Sequence, residues 1–369
     1  MILSRYMARR YLLAFLGVLA VMAGILLLLD VVEQLRRTAG QPMGFAGALR
    51  LAALRMPSSL YAVLPVVALL ATLAMFVSLA RSSELVVTRA VGRSALRVVA
   101  APALTALMLG ALAVAVLNPV VAATARQYDQ LSARIGGSDV SLMSVSRDGL
   151  WLREGTPEGQ RVIRADAAMV DEARPDGTVL TGVTVLTFAD AAGPVAQVEA
   201  AQARLAPGAW QLSEAKAWDL TRPNPELEAV RHATLELPTE LTPGALRDSF
   251  GTPETIGIWD LPGFTAALER AGFAALQHRV HFQMELSLPL MLAAMVLIGA
   301  GFTMGHIRSG RQGMMVLGAL LAGFGAFFLR DFTRLLGENA QIPVALAAWS
   351  PPAVACLLAL ALILQLEEG

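Results

Sequence analysis

Charged side chains are missing from six long stretches of the chain: Tyr11–Leu29, Met56–Ala80, Val98–Ala125, Leu286–Ile307, Gln312–Leu329 and Asn339–Leu366. They run for 19, 25, 28, 22, 18 and 28 residues. A helix needs about 20 apolar residues to cross a hydrocarbon layer ~30 Å thick, so each stretch can span a bilayer. Away from water only helices or closed barrels satisfy their own backbone, and continuous apolar runs of this length are helices. The 28-residue third stretch is longer than a bilayer requires. It must tilt or protrude, or else be interrupted at Asn118-Pro119.

Residues 126–281, between the third and fourth stretches, have a different texture. Short runs of alternating or β-rich character occur at Gly149–Arg153, Arg161–Ala165, Gly182–Phe188, Val195–Ala200, Trp210–Leu212 and Val230–Leu237. Breakers stand between several of them: Pro175-Asp176-Gly177, Gly193-Pro194 and Pro207-Gly208. Regular short strands divided by turn signals predict a sandwich or jellyroll-like sheet. A short helix capped by Asp260 then leads towards the fourth span. The expected organisation is residues 1–125 with spans one to three, 126–281 as an inserted all-β domain with a helical connection, and 282–369 with spans four to six. The fold class is an α-helical polytopic membrane protein of six transmembrane helices with that domain inserted.

Charge sharpens this division. The formal net charge is zero, yet residues 126–281 carry 14 basic and 21 acidic side chains, and the remainder 15 and 8. A basic membrane part suits anionic lipids or an anionic substrate at the bilayer surface, and equally the ordinary positive flanking of spans. Placing both termini in the cytoplasm puts nine span-flanking arginines on that side and six on the other, with the insert outside. The first apolar run exceeds the ~7–15 residues of a signal-peptide core, with no small-x-small site close behind, so it is expected to stay as an anchor.

Several chemistries are excluded. Lys216, flanked by alanines, is the only lysine, so no GxxxxGK[ST] phosphate loop exists and ATP-driven work would need a separate ATPase. Cys356 is the only cysteine, which rules out internal disulfides and multi-cysteine metal motifs. His278 and His281 are three apart, but no HExxH or carboxylate pattern accompanies them, and a polar juxtamembrane face is the simpler account. Met284, Met291, Met295, Met304, Met314 and Met315 could adapt to acyl chains or simply pack.

The most distinctive loop joins spans two and three. In RSSELVVTRAVGR, residues 81–93, Ser82 or Ser83 can cap a short helix whose first turn holds Glu84. Leu85, Val86 and Ala90 give it an apolar side, and Gly92 offers a stop. Such a helix could dock in a partner's groove; a solvated loop or a helix lying on the lipid surface fits the pattern too.

Within the three-span, domain, three-span layout, RSSELVVTRAVG resembles the coupling helix of the LptF/LptG family of lipopolysaccharide export permeases, its LptG branch more than its LptF branch. The likeness extends to Leu3-Ser4-Arg5-Tyr6-Met7, to DVVEQLRR from Asp30 to Arg37, to Gly149-Leu150-Trp151-Leu152, to Asp219-Leu220-Thr221, to Ile256–Gly272 and to the turn from Arg308 to Gly313. The resemblance implies a periplasmic jellyroll-like domain and an inner-membrane transport permease, not itself an enzyme. It further implies an LptF-like permease, an LptB-like ATPase dimer and an LptC-like bitopic protein as partners. ATP and Mg would be used by the ATPase, with no cofactor in this chain. Matched by position, Arg81, Glu84, Leu85 and Gly92 belong to the ATPase-coupling segment, and Arg36, Arg37 and Arg126 to the basic set that meets the lipid's phosphates. By the same resemblance, Asp30 and Ser58 stand where some relatives carry lysine, and Asp129 at another position that can be basic.

Two other classes compete with this reading. A secondary transporter would place ionisable residues at the bilayer midplane, and the six stretches hold no Asp, Glu, Lys or Arg. A membrane-anchored assembly protein would need fewer than six spans. Co-purification of an ATPase separates both from a permease.

Overall fold

The computed structural model describes residues 2–37, 45–82, 84, 94–136, 144–146, 149–156, 159–170, 178–189, 193–206, 208–239, 252–270, 275–304 and 312–368. The chain packs as two units. One comprises Met1–Asp129, Glu254–Trp259 and Leu276–Gly369; the other comprises Gln130–Pro253 and Asp260–Ala275.

The first unit is helical. Its elements are α1 (Ile2–Arg37), α2 (Phe45–Ala62), α3 (Leu64–Arg81), α4 (Ala95–Leu112), a π-turn over Ala113–Leu117, α5 (Asn118–Gly136, of which Gln130 onward belongs to the second unit), α7 (Leu276–Thr303), α8 (Gln312–Glu338) and α9 (Val344–Glu368). Among the described residues six helices are long and apolar enough to cross a membrane, with Ala95–Asp129 acting as one. The second uncharged stretch is not one helix: it breaks at Val63, just ahead of Pro65, which sits in the first turn of α3. There a proline's missing N–H costs nothing. The third stretch is not broken at Asn118-Pro119. The helix widens into the π-turn and runs on.

At the centre is α7. Two thirds of its apolar window (67%) is buried, against 6% for α1 and 11% for α8. Small residues let its neighbours close in, as lipid-embedded helices require. A Cβ on Gly110 of α4 would lie 2.5 Å from the Pro289 Cα of α7, and one on Gly323 of α8 would lie 2.2 Å from Leu69 of α3. Met284, Met291, Met295 and Met304 are buried in this packing, whereas Met314 is exposed.

The second unit is one antiparallel sheet with α6 (Leu261–Arg270). Its strands are β1 (Ser144–Ser146), β2 (Gly149–Thr156), β3 (Gly159–Ala165), β4 (Ala167–Val170), β5 (Thr178–Ala189), β6 (Gly193–Ala206), β7 (Ala209–Asp219) and β8 (Val230–Pro238). They pair in the order β1-β2-β3-β5-β6-β7-β8, with β4 also on β5. Leu152, Ile163, Leu180, Val185, Trp210 and Leu212 lead the inner face, and Leu268 of α6 packs into it.

A crease crosses four of these strands at one level. The ladder skips Gly182 against Ala201, Ala201 against Glu214, and Glu214 against Ala233. At that level each strand turns two successive residues outward, as Ala201-Gln202 and Ser213-Glu214 do between buried neighbours. Because all four strands slip together, register is kept and the apolar residues return to the inner face beyond the crease. Gly182 has φ 62° there, with the Asp166 carboxylate where a Cβ would stand, and Glu214 has φ 53°.

Candidate functional sites on the helical unit

Glu84 is held by the beginning of α1. The Tyr6 hydroxyl donates to its Oε2 at 2.7 Å and the Ser82 hydroxyl to its Oε1 at 2.9 Å. The Arg10 guanidinium stands 3.8 Å from Oε1 and also donates to Ser78 Oγ at 3.2 Å. These donors, Tyr6 first and Ser82 next, hold the Glu84 carboxyl below the usual carboxylate range. The Ser82 hydroxyl also lies 3.3 Å from the Leu79 carbonyl, a longer alternative to its bond with Glu84. Arg81 is exposed, and Leu85 and Gly92 lie outside the described residues, as does Ser83.

At the other end of α1, Arg36 and Arg37 share one acid. Arg36 Nε lies 3.1 Å from Glu33 Oε2, and Arg37 Nε 2.7 Å from Glu33 Oε1. The side chains remain 78% and 56% exposed, so both guanidiniums can still reach a ligand. A cavity of about 310 Å³ opens beside Arg37, with Arg55, Ser58, Tyr128 and Asp129 on its walls. Asp30 stands 3.8 Å from Arg55 and accepts the Ser59 hydroxyl at 3.1 Å. Ser58 and Asp129 thus line this cavity, and Asp30 stands beside its arginine. Arg36 and Arg126 do not line it, and Arg126 is exposed.

A third cluster centres on Glu285, the residue directly before the fourth uncharged stretch. Glu285 is 5% exposed, well inside α7. The Tyr61 hydroxyl and Asn118 Nδ2 (3.2 Å) donate to it, and His281 Nε2 lies 4.0 Å away. His278 and His281 are buried too, not on a polar juxtamembrane face. Arg330, with its Nε unpartnered, shares the adjoining cavity of about 310 Å³ with Ser58 and Arg334. The signal was present in the sequence: Asn118 is a polar residue deep in an apolar run, and Glu285 immediately precedes another.

Comparison with known proteins accords with this architecture. The lipopolysaccharide export system permease protein LptG of Escherichia coli (strain K12) is 25% identical over 362 residues, which is 97% of this chain and 94% of that protein. The protein of the same name from Haemophilus influenzae is 24% identical over 348 residues, or 92% and 91% of the two chains. The family model for the lipopolysaccharide export system permease LptF/LptG matches residues 5–365. The chain, with its six membrane helices and inserted sheet, therefore belongs to the LptF/LptG family.

Proposed function

We propose that this chain is a permease subunit, of the LptG kind, in an ATP-driven transporter that extracts lipopolysaccharide from the inner membrane. The lipid would pass to a periplasmic bridge for assembly in the outer membrane. The observation that carries this reading is the family match along residues 5–365, on a chain with no phosphate loop of its own.

Lifting acyl chains out of a bilayer costs about 0.8 kcal/mol per CH₂, so a multi-chain lipid needs coupling to an energy source. An LptB-like ATPase dimer supplies it, using ATP and Mg, and pushes on the segment from Arg81 through Glu84, Leu85 and Gly92. The termini and this segment are then cytoplasmic, and the sheet periplasmic. The apolar faces of α1 and α8, the least covered helices of the protomer, face an LptF-like permease across the lipid's path. Arg36, Arg37 and Arg126 meet the phosphates, since guanidinium groups bind phosphate through paired charge-assisted bonds. An LptC-like bitopic protein joins the sheet by edge pairing, and the β-domain receives the acyl chains in an apolar groove.

Geometry adds one support. A single helix, α1, holds Glu84 at one end and Arg36 and Arg37 at the other, and its 36 residues extend about 54 Å. A push at the coupling segment therefore reaches the phosphate-binding end through one rigid element. The test is reconstitution with the two partner subunits and the bitopic protein in lipopolysaccharide-loaded proteoliposomes. ATP-dependent transfer to a soluble acceptor is expected; ATP hydrolysis with no transfer would overturn the reading.

A further inference from the structure

Pro119 has no N–H, so the Ala115 carbonyl four residues before it loses its helical donor. The structure fills the gap from elsewhere in the chain: the Trp259 indole N–H donates to that carbonyl at 3.1 Å. The Trp259 ring is otherwise 69% exposed, so this bond rather than burial fixes it. Beside it, Asn118 Oδ1 accepts the Ile258 N–H at 2.9 Å, while Asn118 Nδ2 reaches Glu285 of α7. Ile258 itself is 1% exposed. A third tie is ionic: Glu254 Oε1 lies 2.8 Å from an Arg334 nitrogen of α8, and Arg334 is steadied by Glu338 at 2.7 Å.

These ties fasten six residues, Glu254–Trp259, into the helical unit, although Pro253 before them and Asp260 after them belong to the sheet's unit. A plain linker needs no side-chain-specific fastening. Here the segment is fixed to α5, through α5 to the central α7, and directly to α8. Of these helices, α8 is the one with the smallest share of its apolar window buried within the chain, 11%.

We infer that Glu254–Trp259 is a coupling strap, positioned by Asn118, Trp259 and Arg334, which passes displacement of α8 to the chain that enters and leaves the sheet's unit. This rests on the proposed permease function and adds residues to it that touch neither lipid nor ATPase. The strap and α8 move as one body through the cycle, so a fixed bridge between them can replace the ion pair.

The experiment uses the reconstituted complex with Cys356→Ala as background. Glu254→Cys and Arg334→Cys singly should leave assembly and ATP hydrolysis intact and lower lipid transferred per ATP by about fivefold or more, the lower range of coupling between sites. The double variant, bridged by a short bis-methanethiosulfonate reagent, should regain transfer and lose it again when reductant opens the bridge. Single variants that transfer normally, or a bridged form that stays impaired, would overturn the strap. A native complex that hydrolyses ATP without moving lipid overturns the permease reading instead, and the strap's role with it.

Discussion

The Tyr6 hydroxyl donates to Glu84 Oε2 at 2.7 Å, tying the first turns of α1 to the residue just beyond α3 across 78 positions of sequence. The proposed coupling carboxylate is thus oriented before any ATPase arrives. Tyr6→Phe removes the largest of the contacts that depress its pKa, so the Glu84 carboxyl should titrate closer to its ordinary value. A depressed carboxyl contributes stability above its unfolded pKa and loses it as pH falls through the folded one. In the variant that contribution shrinks, and its loss on acidification begins at higher pH. Side-chain NMR titration of Glu84 in nanodiscs reads both.

Glu84→Ala should weaken ATPase binding by about tenfold or more, the loss expected when one partner of a desolvated charge pair is truncated. The check is retention of the ATPase through gel filtration at falling concentration. Binding and transport at native levels would remove Glu84 from the coupling interface.

Glu33 already neutralises part of the Arg36 and Arg37 charge. Glu33→Gln should therefore raise lipopolysaccharide adducts from a photocrosslinker placed at position 36 or 37, with a yield that falls as salt rises, as exposed charges require. Adducts to phospholipid or protein alone would make the two arginines interfacial anchors.

Gly110 and Gly24 make a paired test of helix packing. Gly110→Ala forces a Cβ to within 2.5 Å of the Pro289 Cα, whereas Gly24 has nothing within 4 Å of that position. Overpacking a tight contact costs about 1–3 kcal/mol. The Gly110 variant should lose several degrees in thermal unfolding in detergent, and Gly24→Ala should not.

In the sheet, Gly182→Ala should destabilise by about 1–3 kcal/mol, because a side chain strains the left-handed backbone and meets the Asp166 carboxylate. Glu214→Gly relieves a similar strain at φ 53° while adding chain entropy to the unfolded state, so its effect should stay within about 1 kcal/mol. Amide exchange in β5 and β7 distinguishes the two.

The spans were legible because a missing charge over about 20 residues has one physical explanation in a bilayer. Every expected strand was found, yet several were read short, and the crease is the cause. Val195–Ala200 stops where Ala201-Gln202 breaks the alternation, and β6 continues to Ala206; Trp210–Leu212 stops at Ser213-Glu214, and β7 continues to Asp219. A two-residue period cannot see past a slip of one. The Glu285 cluster was hidden for another reason: its members come from positions 61, 118, 281 and 285, and no local pattern joins them. Asn118-Pro119 reads as a break in sequence, but that the Ala115 carbonyl is met by Trp259 depends on a contact 144 positions away.

The crease also restricts how this domain can change length. Side chains alternate with a period of two, so removing one residue from a strand reverses every side chain beyond the cut. Deleting Glu214 alone would turn the far half of β7 inside out against neighbours that kept their phase, exposing Ala215 and burying Lys216. Phase would be preserved only by removing the matching residue from β5, β6 and β8 as well. Single-residue insertions and deletions should therefore be confined to the hairpin turns, and the four strands inherited as a block.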